Sequence, residues 1–490
     1  MEDPPSDPPE AENSAPSAAV TIDPSEVEVG TEVTADGSGS SDPDGDELTY
    51  NWSLTTPSDS ETQLSDPSAV QPTFTPDVEG DYTVSLEVSD GEAANSSSAD
   101  LSAIVPAVVI NEDIESDRTL SADTTYRFEK PQIGDILGIT DGARLTIEPG
   151  TEILFEEGAG LQTTVGGEIR ADGSAEEPIT MAGASGNKTP GAWGIYVRSG
   201  TNRFDHVRMR HAGGKWGGDS EERAGLIAGS MIAGGIESPP TVEITNSTFE
   251  EMQGSAIDLR QSASAPTPIR DNKFKEVGEV AVRVSFGNVG VLDGTNEFEE
   301  GSVVKAETTY RGGTREGVSK KTTVSPLGEN AHYRIAGNPA VVGNGELKIE
   351  PGVEMRFKKD VRLYIDGGFR QTSAKVMAEG TASEPIVMGA TEGNEQAGWW
   401  DQVRFERNYE GVFRHVNIRH GGSGSDPESS GNIFLDAQGS GYPSSFVLEN
   451  SSVEESSTNG IACNPSENID LKRSGNSFSG IDRKNVSGCE

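Results

Sequence analysis

Short runs in which every second residue is apolar recur along most of the chain, separated by Gly, Asn, Asp and Pro. In DYTVSLEVSDG (81–91), Tyr82, Val84, Leu86 and Val88 share one side of a strand, because successive side chains of extended backbone point to opposite faces. Thr31, Val33 and Ala35 alternate in the same way. Pro43 and Gly45 then reverse the chain, and Leu48, Tyr50 and Trp52 alternate into the next strand. One β-sandwich of about 90 residues accounts for 18–106. Residues 1–17 (MEDPPSDPPEAENSAPS) show no such alternation and read as a disordered acidic, Pro-rich tether.

From 107 to 490 the pattern becomes repetitive. NSTFEEMQGSAI (246–257), NKFKEVGEVAV (272–282) and NEFEEGSVVKA (296–306) bring Asn back at 246, 272 and 296, and Phe at 249, 274 and 298. A period of 24–26 residues is one coil of a three-sided β-helix, with three short strands and three turns. A coil cannot bury its own apolar face, so Phe249, Phe274 and Phe298 are predicted to stack in one interior column. Each Asn is predicted to take a left-handed turn and pair along the stack. A longer duplication lies over this repeat. LTIEPGTEILF (145–155) returns as LKIEPGVEMRF (347–357), GAWGIYV (191–197) as GWWDQVRF (398–405), RFDHVRMRHAGG (203–214) as VFRHVNIRHGG (412–422), and DNKF (271–274) as GNSF (475–478). The region therefore reads as two homologous halves, about 107–305 and 306–490.

The runs GSGSSDPDGDELTYNW (37–52) and PTFTPDVEGDYTVSLEVSDG (72–91), with their spacing, resemble a PKD domain, an immunoglobulin-like surface module. The wording I-E-P-G-T, then E-P-I, then G-x-W resembles right-handed parallel β-helix proteins of bacterial surfaces. Together these resemblances imply an all-β chain: an immunoglobulin-like, PKD-like sandwich followed by a right-handed parallel β-helix made of two duplicated halves. PKD-like domains imply spacing, adhesion or carbohydrate-associated roles. The β-helix scaffold hosts adhesins and lyases alike and does not by itself fix a function.

Charge changes the picture. The chain has 81 Asp and Glu against 38 Lys and Arg, a net of −43, and residues 1–117 contribute 28 of the acids and no Lys, Arg or His. A field this negative repels nucleic acid and anionic membranes. It suits either a protein of high-salt surroundings, where screening shortens electrostatic reach, or a domain overcharged until Ca²⁺ arrives. No apolar run is long enough to span a bilayer. The N-terminal segment looks like the spacer that follows a cleaved export or lipoprotein signal, which points to an extracellular or cell-surface location and a lipid anchor at a native N-terminus. Cys463 and Cys489 are either a disulfide closing the terminal loop or two free thiols.

Candidate chemistry is sparse. Asp42, Asp44 and Asp46 place three carboxylates around one tight turn, as a Ca²⁺ site needs, with Asp90 a further contributor; the same residues also suit a solvated turn. His206/His211 and His415/His420 recur in both halves, and strand alternation puts the members of each pair on opposite faces, which opposes a shared metal. The best set for a lyase is Arg208, Arg210, Lys215, Asp219, Glu221 and Glu222, a basic residue beside carboxylates that could hold a cation. Arg311, Arg315, Lys320 and Lys321 form a basic linker suited to an anionic glycan or to the acidic N-terminal segment. Trp193 and Trp400 hold equivalent repeat positions and read as packing residues, leaving Trp216 and Trp399 to stack on a ligand such as a sugar. These features describe a non-catalytic extracellular binding or adhesion protein that contacts polysaccharide or other surface proteins. The alternative is a secreted polysaccharide lyase or glycoside hydrolase on the same scaffold.

Overall fold

The computed structural model describes residues 13–130, 136–184, 193–213, 224–229, 240–261, 268–278, 280–308, 310–311, 314–315, 317–368, 372–424, 429–437, 444–464 and 469–489. The chain is all-β, with one 3₁₀ turn at Phe286–Val291, and divides into two compact units at Val108.

The first unit is a sandwich. Four strands pair in the order Glu26–Glu28, Ala94–Ile104, Gly80–Ser89 and Thr49–Thr55, and Val33–Thr34 pairs with Thr73–Phe74. The alternation read from the sequence is the burial pattern: Tyr82, Val84, Leu86 and Val88 are fully buried, together with Trp52 and Phe74. The phenol of Tyr82 donates to the Val78 carbonyl at 2.9 Å and the Trp52 ring NH to that of Ala69 at 2.9 Å, so neither buried polar tip is left unpaired. Residues 13–17, assigned above to the tether, belong to this unit. Asn13 donates to Asp90, Ser14 N donates to Asp44 at 2.7 Å, and Ser17 pairs with Ser41. Backbone donors next to a carboxylate-rich turn explain why a segment without apolar alternation is held.

The second unit is a parallel β-helix of three-strand coils. One sheet of 13 strands runs through both halves, from Leu137–Ile139 to Ser477–Ile481. The first half adds sheets of six and eight strands, and the second half adds two of six. Phe249, Phe274 and Phe298 are hydrogen-bonded neighbours whose rings stack at 5.4 and 4.9 Å. Phe128, Phe155 and Trp193 continue the same arrangement at 5.3 and 4.1 Å. The predicted interior column is present.

The asparagine ladder is present with a corrected membership. Phe274 pairs with Phe249, which sets Asn272 beside Ser247 and not beside Asn246. Ser247 N donates to Asn272 Oδ1 at 2.9 Å, Asn272 Nδ2 to Asn296 Oδ1 at 3.1 Å, and Val207 N to Ser247 Oγ at 3.0 Å. Asn246 instead takes the left-handed corner one residue earlier, with φ 52°. The second half repeats the ladder with Val416, Ser451 and Asn476.

The two halves stack out of phase by one face. Glu152–Phe155 lies in the eight-strand sheet, yet its duplicate, Glu354–Phe357, lies in the 13-strand sheet. Gly160–Thr163 lies in the 13-strand sheet, and the strand after the second I-E-P-G turn, Leu363–Asp366, lies in a six-strand one. The second copy is thus turned by one side of the coil relative to the first. Cys463 and Cys489 are joined in a disulfide across the last coils. Among the described residues no helix is long and apolar enough to cross a membrane.

Candidate functional site

The four histidines mark corners. His206, His211, His415 and His420 have φ of 51°, 60°, 48° and 66° and stand at the two ends of the strands Val207–Arg210 and Val416–Arg419. They are not parts of a straight strand, so the face assignment from alternation is corrected here. A left-handed corner is costly for most side chains, and His, Asn and Asp tolerate it best. His206 stacks above Asn246 and Asp271, which share its conformation. His211 and His420 are buried, with Nε2 2.7 Å from Glu251 and 2.6 Å from Glu455. Burial pushes the His420 imidazole below its ordinary pKa, and Glu455 opposes that shift.

Around Val207–Arg210 lies a depression of about 300 Å³ lined by residues that include His206, Arg208, Asn246, Glu250 and Lys275. Its charges are already paired. Arg208 and Arg210 both bind Glu250, and Arg210 Nη2 reaches Glu251 at 2.8 Å. The Arg210 hydrogen bond, ahead of His211, holds the Glu251 carboxyl below the usual range. Lys215, Asp219, Glu221 and Glu222 of the lyase-like set lie outside the described residues, as does Trp216.

A second cluster was not singled out in the sequence. Asp366, Glu406 and Asp436 are hydrogen-bonded neighbours on three successive coils of the second half. Arg404 binds Glu406, approaches Asp436 at 3.7 Å and lies 4.5 Å over the Phe434 ring; Arg407 binds Asp366. Beside this column the phenol of Tyr409 is buried, and burial followed by the Asp436 charge raises its pKa. The signal was present as D-G-G-F, F-E-R-N and F-L-D-A at similar places in successive coils, but it is visible only once the coils are aligned in register.

The remaining expectations are placed as follows. Asp42 Oδ1 accepts the backbone NH of Asp44 at 2.8 Å and of Asp46 at 3.2 Å, Asp44 accepts Ser14 N, and Asp90 accepts the NH groups of Glu92 and Ala93. These carboxylates are spent on turns and do not converge as Ca²⁺ ligands. Among the described residues no three His, Cys, Asp or Glu side chains come together around one point. Trp399 is half-buried and packs on the core, which leaves part of its ring for a ligand. Trp193 and Trp400 are fully buried, stacked on Phe155 and Phe357 and bonded through Nε1 to the carbonyls of Arg210 and Arg419. Lys320 and Lys321 line a depression of about 210 Å³ against the 3₁₀ turn, and Lys321 pairs with Glu346 at 3.1 Å. The side chains of Arg311 and Arg315 lie outside the described residues.

Fold and sites define a chain that joins a surface-type sandwich to a carbohydrate-type β-helix. Residues 22–105 match the family of the PKD domain, and residues 112–227 and 317–405 match the pectate-lyase like beta helix domain. The chain combines these two domains. No curated protein matches it. Among solved structures it is similar to a nucleoside hydrolase-related hypothetical protein from Saccharophagus degradans described as associated with carbohydrate metabolism, at 26% identity and a TM-score of 0.17. That likeness covers 19% of this chain and 26% of the other.

Proposed function

We propose that this is a non-catalytic extracellular or cell-surface protein whose β-helix contacts carbohydrate through many modest sites along its flank. The observation that carries the reading is the pairing at Arg208–Glu250–Arg210–Glu251–His211. A base must be unprotonated and a cation-holding carboxylate must be free, and here each arginine already neutralises an acid. Repetition compensates for weak single contacts, since each engaged coil raises the effective concentration of the next. The pectate-lyase-like family match supports a carbohydrate partner, and the PKD domain supports a place outside the cell. A glycan array probed with the full chain tests this: retention of one or more glycans without turnover is expected, and an array blank at every sugar overturns it.

One observation favours a second reading. The Asp366–Glu406–Asp436 column, with Arg404 between its members, has the elements of a polysaccharide lyase: stacked carboxylates and a basic residue. Incubation with polyuronates and Ca²⁺ decides it. A rise in unsaturated-uronate absorbance that Arg404→Gln abolishes would replace the binding-only reading.

A further inference from the structure

The outward row of the 13-strand sheet carries an unexpected sign at the junction of the two halves. Followed through hydrogen-bonded partners it runs Asp258, Arg283, Lys305, Arg334, Arg356 and Gly389. Arg419 extends it, lying with Cγ 3.3 Å from where a Cβ on Gly389 would stand. Four cations thus occupy four successive coils at the strand spacing of about 4.8 Å, on a chain of net charge −43. The row is a product of the offset. Arg283 and Lys305 belong to the first half and Arg334 and Arg356 to the second, and the turn of one face brings unlike strands of the repeat into one line.

Local carboxylates do not cancel the row. Glu307 is shared between Lys305 and Arg260, and Glu354 sits by Arg356. Arg283 donates Nε to Ser255 Oγ at 2.8 Å, and among the described residues neither Arg283 nor Arg419 has a carboxylate within ion-pair reach. The Nε groups of Arg356 and Arg419 are buried with no hydrogen-bond partner among the described residues. Beside the row, burial holds His332 below its ordinary pKa, and Arg356 and Arg334 add to that shift against Glu354. Selection for acidity over the rest of the chain makes retained, evenly spaced guanidiniums a feature in need of an anion.

We infer that this row binds an acidic polysaccharide lying along the β-helix axis, its carboxylate or sulfate groups set against Arg283, Lys305, Arg334 and Arg356. The inference rests on the carbohydrate-contact reading above and names the ligand class for it. A guanidinium fork matches either anion with two parallel hydrogen bonds. Duplex nucleic acid, with one charge per about 1.7 Å of axis, is opposed by the chain's own field far more than a glycan bearing one acid group per sugar.

The test measures affinity of the full chain at low salt for a polyuronate, a sulfated galactan, neutral dextran and duplex DNA. Three proteins are compared: the native chain, Arg283→Gln/Arg334→Gln/Arg356→Gln, and a control of equal charge change on another sheet, Lys321→Gln/Lys348→Gln/Lys375→Gln. Acidic glycans are expected to bind, more weakly as salt rises, with about a hundredfold loss in the arginine triple and a few-fold loss in the control. Stronger binding of the polyuronate or of the galactan identifies which anion the row prefers. Equal loss in the two triples, tighter binding of DNA, or retention of dextran alone overturns the inference. Retention of neutral glycans by both triples would leave the carbohydrate reading standing without it, and a native chain that binds no glycan removes both. If the arginine triple fails to give the native circular dichroism spectrum, Arg283→Gln alone carries the test, with about a tenfold loss expected and an unchanged affinity contradicting it.

Discussion

Phe155 and Phe357 hold the same place in the duplicated sequence, and each stacks on a tryptophan, Trp193 or Trp400, anchored to the carbonyl of Arg210 or Arg419. The same holds for the ladders Val207–Ser247–Asn272 and Val416–Ser451–Asn476 and for the pairs His211–Glu251 and His420–Glu455. Yet Phe155 lies on the eight-strand sheet and Phe357 on the 13-strand sheet. The interior of a coil is dictated by stacking, so it survives duplication wherever the copy is turned. The exterior is dictated by which coil lies next door, so the turn gave each half its own surface: the acidic column to the second, the basic row to the seam.

The comparison can be broken most strongly at the phenylalanines. Phe274 is fully buried between two rings, whereas its duplicate, Phe478, is half-buried in the last coil. Phe274→Ala is expected to cost about 4 kcal/mol and Phe478→Ala less than about 2 kcal/mol in denaturant unfolding followed by circular dichroism. Equal losses would mean that position in the stack does not set the energy. Next in size is the Cys463–Cys489 disulfide, found only in the second half. Its reduction is expected to destabilise the terminal coil by about 3 kcal/mol, seen as faster hydrogen exchange in 459–487 and unchanged exchange in the first half.

The ladders sharpen the comparison at smaller scale. Asn272→Ala leaves the buried NH of Ser247 unpaired and is expected to cost about 2 kcal/mol, against about 1 kcal/mol for Asn476→Ala at its less buried site. The smallest effect is the pH response of His420. Its pKa is lowered on folding, so the unfolded chain binds the proton more readily and stability falls as pH drops through the ordinary histidine range. Unfolding midpoints measured across that range are expected to slope less in His420→Asn than in the native chain. Parallel slopes would show that the buried pair does not titrate with folding.

The fold was legible because its rule is local and repeated. Alternation identified Tyr82, Val84, Leu86 and Val88, and the 24–26 residue period identified the stacked Phe249, Phe274 and Phe298. Register was not legible at single-residue precision, so Asn246 was placed in a ladder that belongs to Ser247. The histidines were misread as strand residues because a left-handed corner leaves no mark on alternation. The phase of the halves was invisible for a different reason: it depends on how many strands intervene between Ser302–Glu307 and Ala331–Ala336, a stretch whose sequence has no repeat. The acidic column and the basic row both follow from register and phase, and neither could be read before these were known.

The offset is tested most directly by spin labels placed on Lys305→Cys and Arg356→Cys, with the native disulfide leaving no other thiol in the chain. Stacking out of phase by one face sets these positions two coils apart on one sheet, about 10 Å between backbones, and predicts strong dipolar broadening of the electron paramagnetic resonance spectrum. Spectra that equal the sum of the two singly labelled chains would place the residues on different sides of the β-helix and contradict the account.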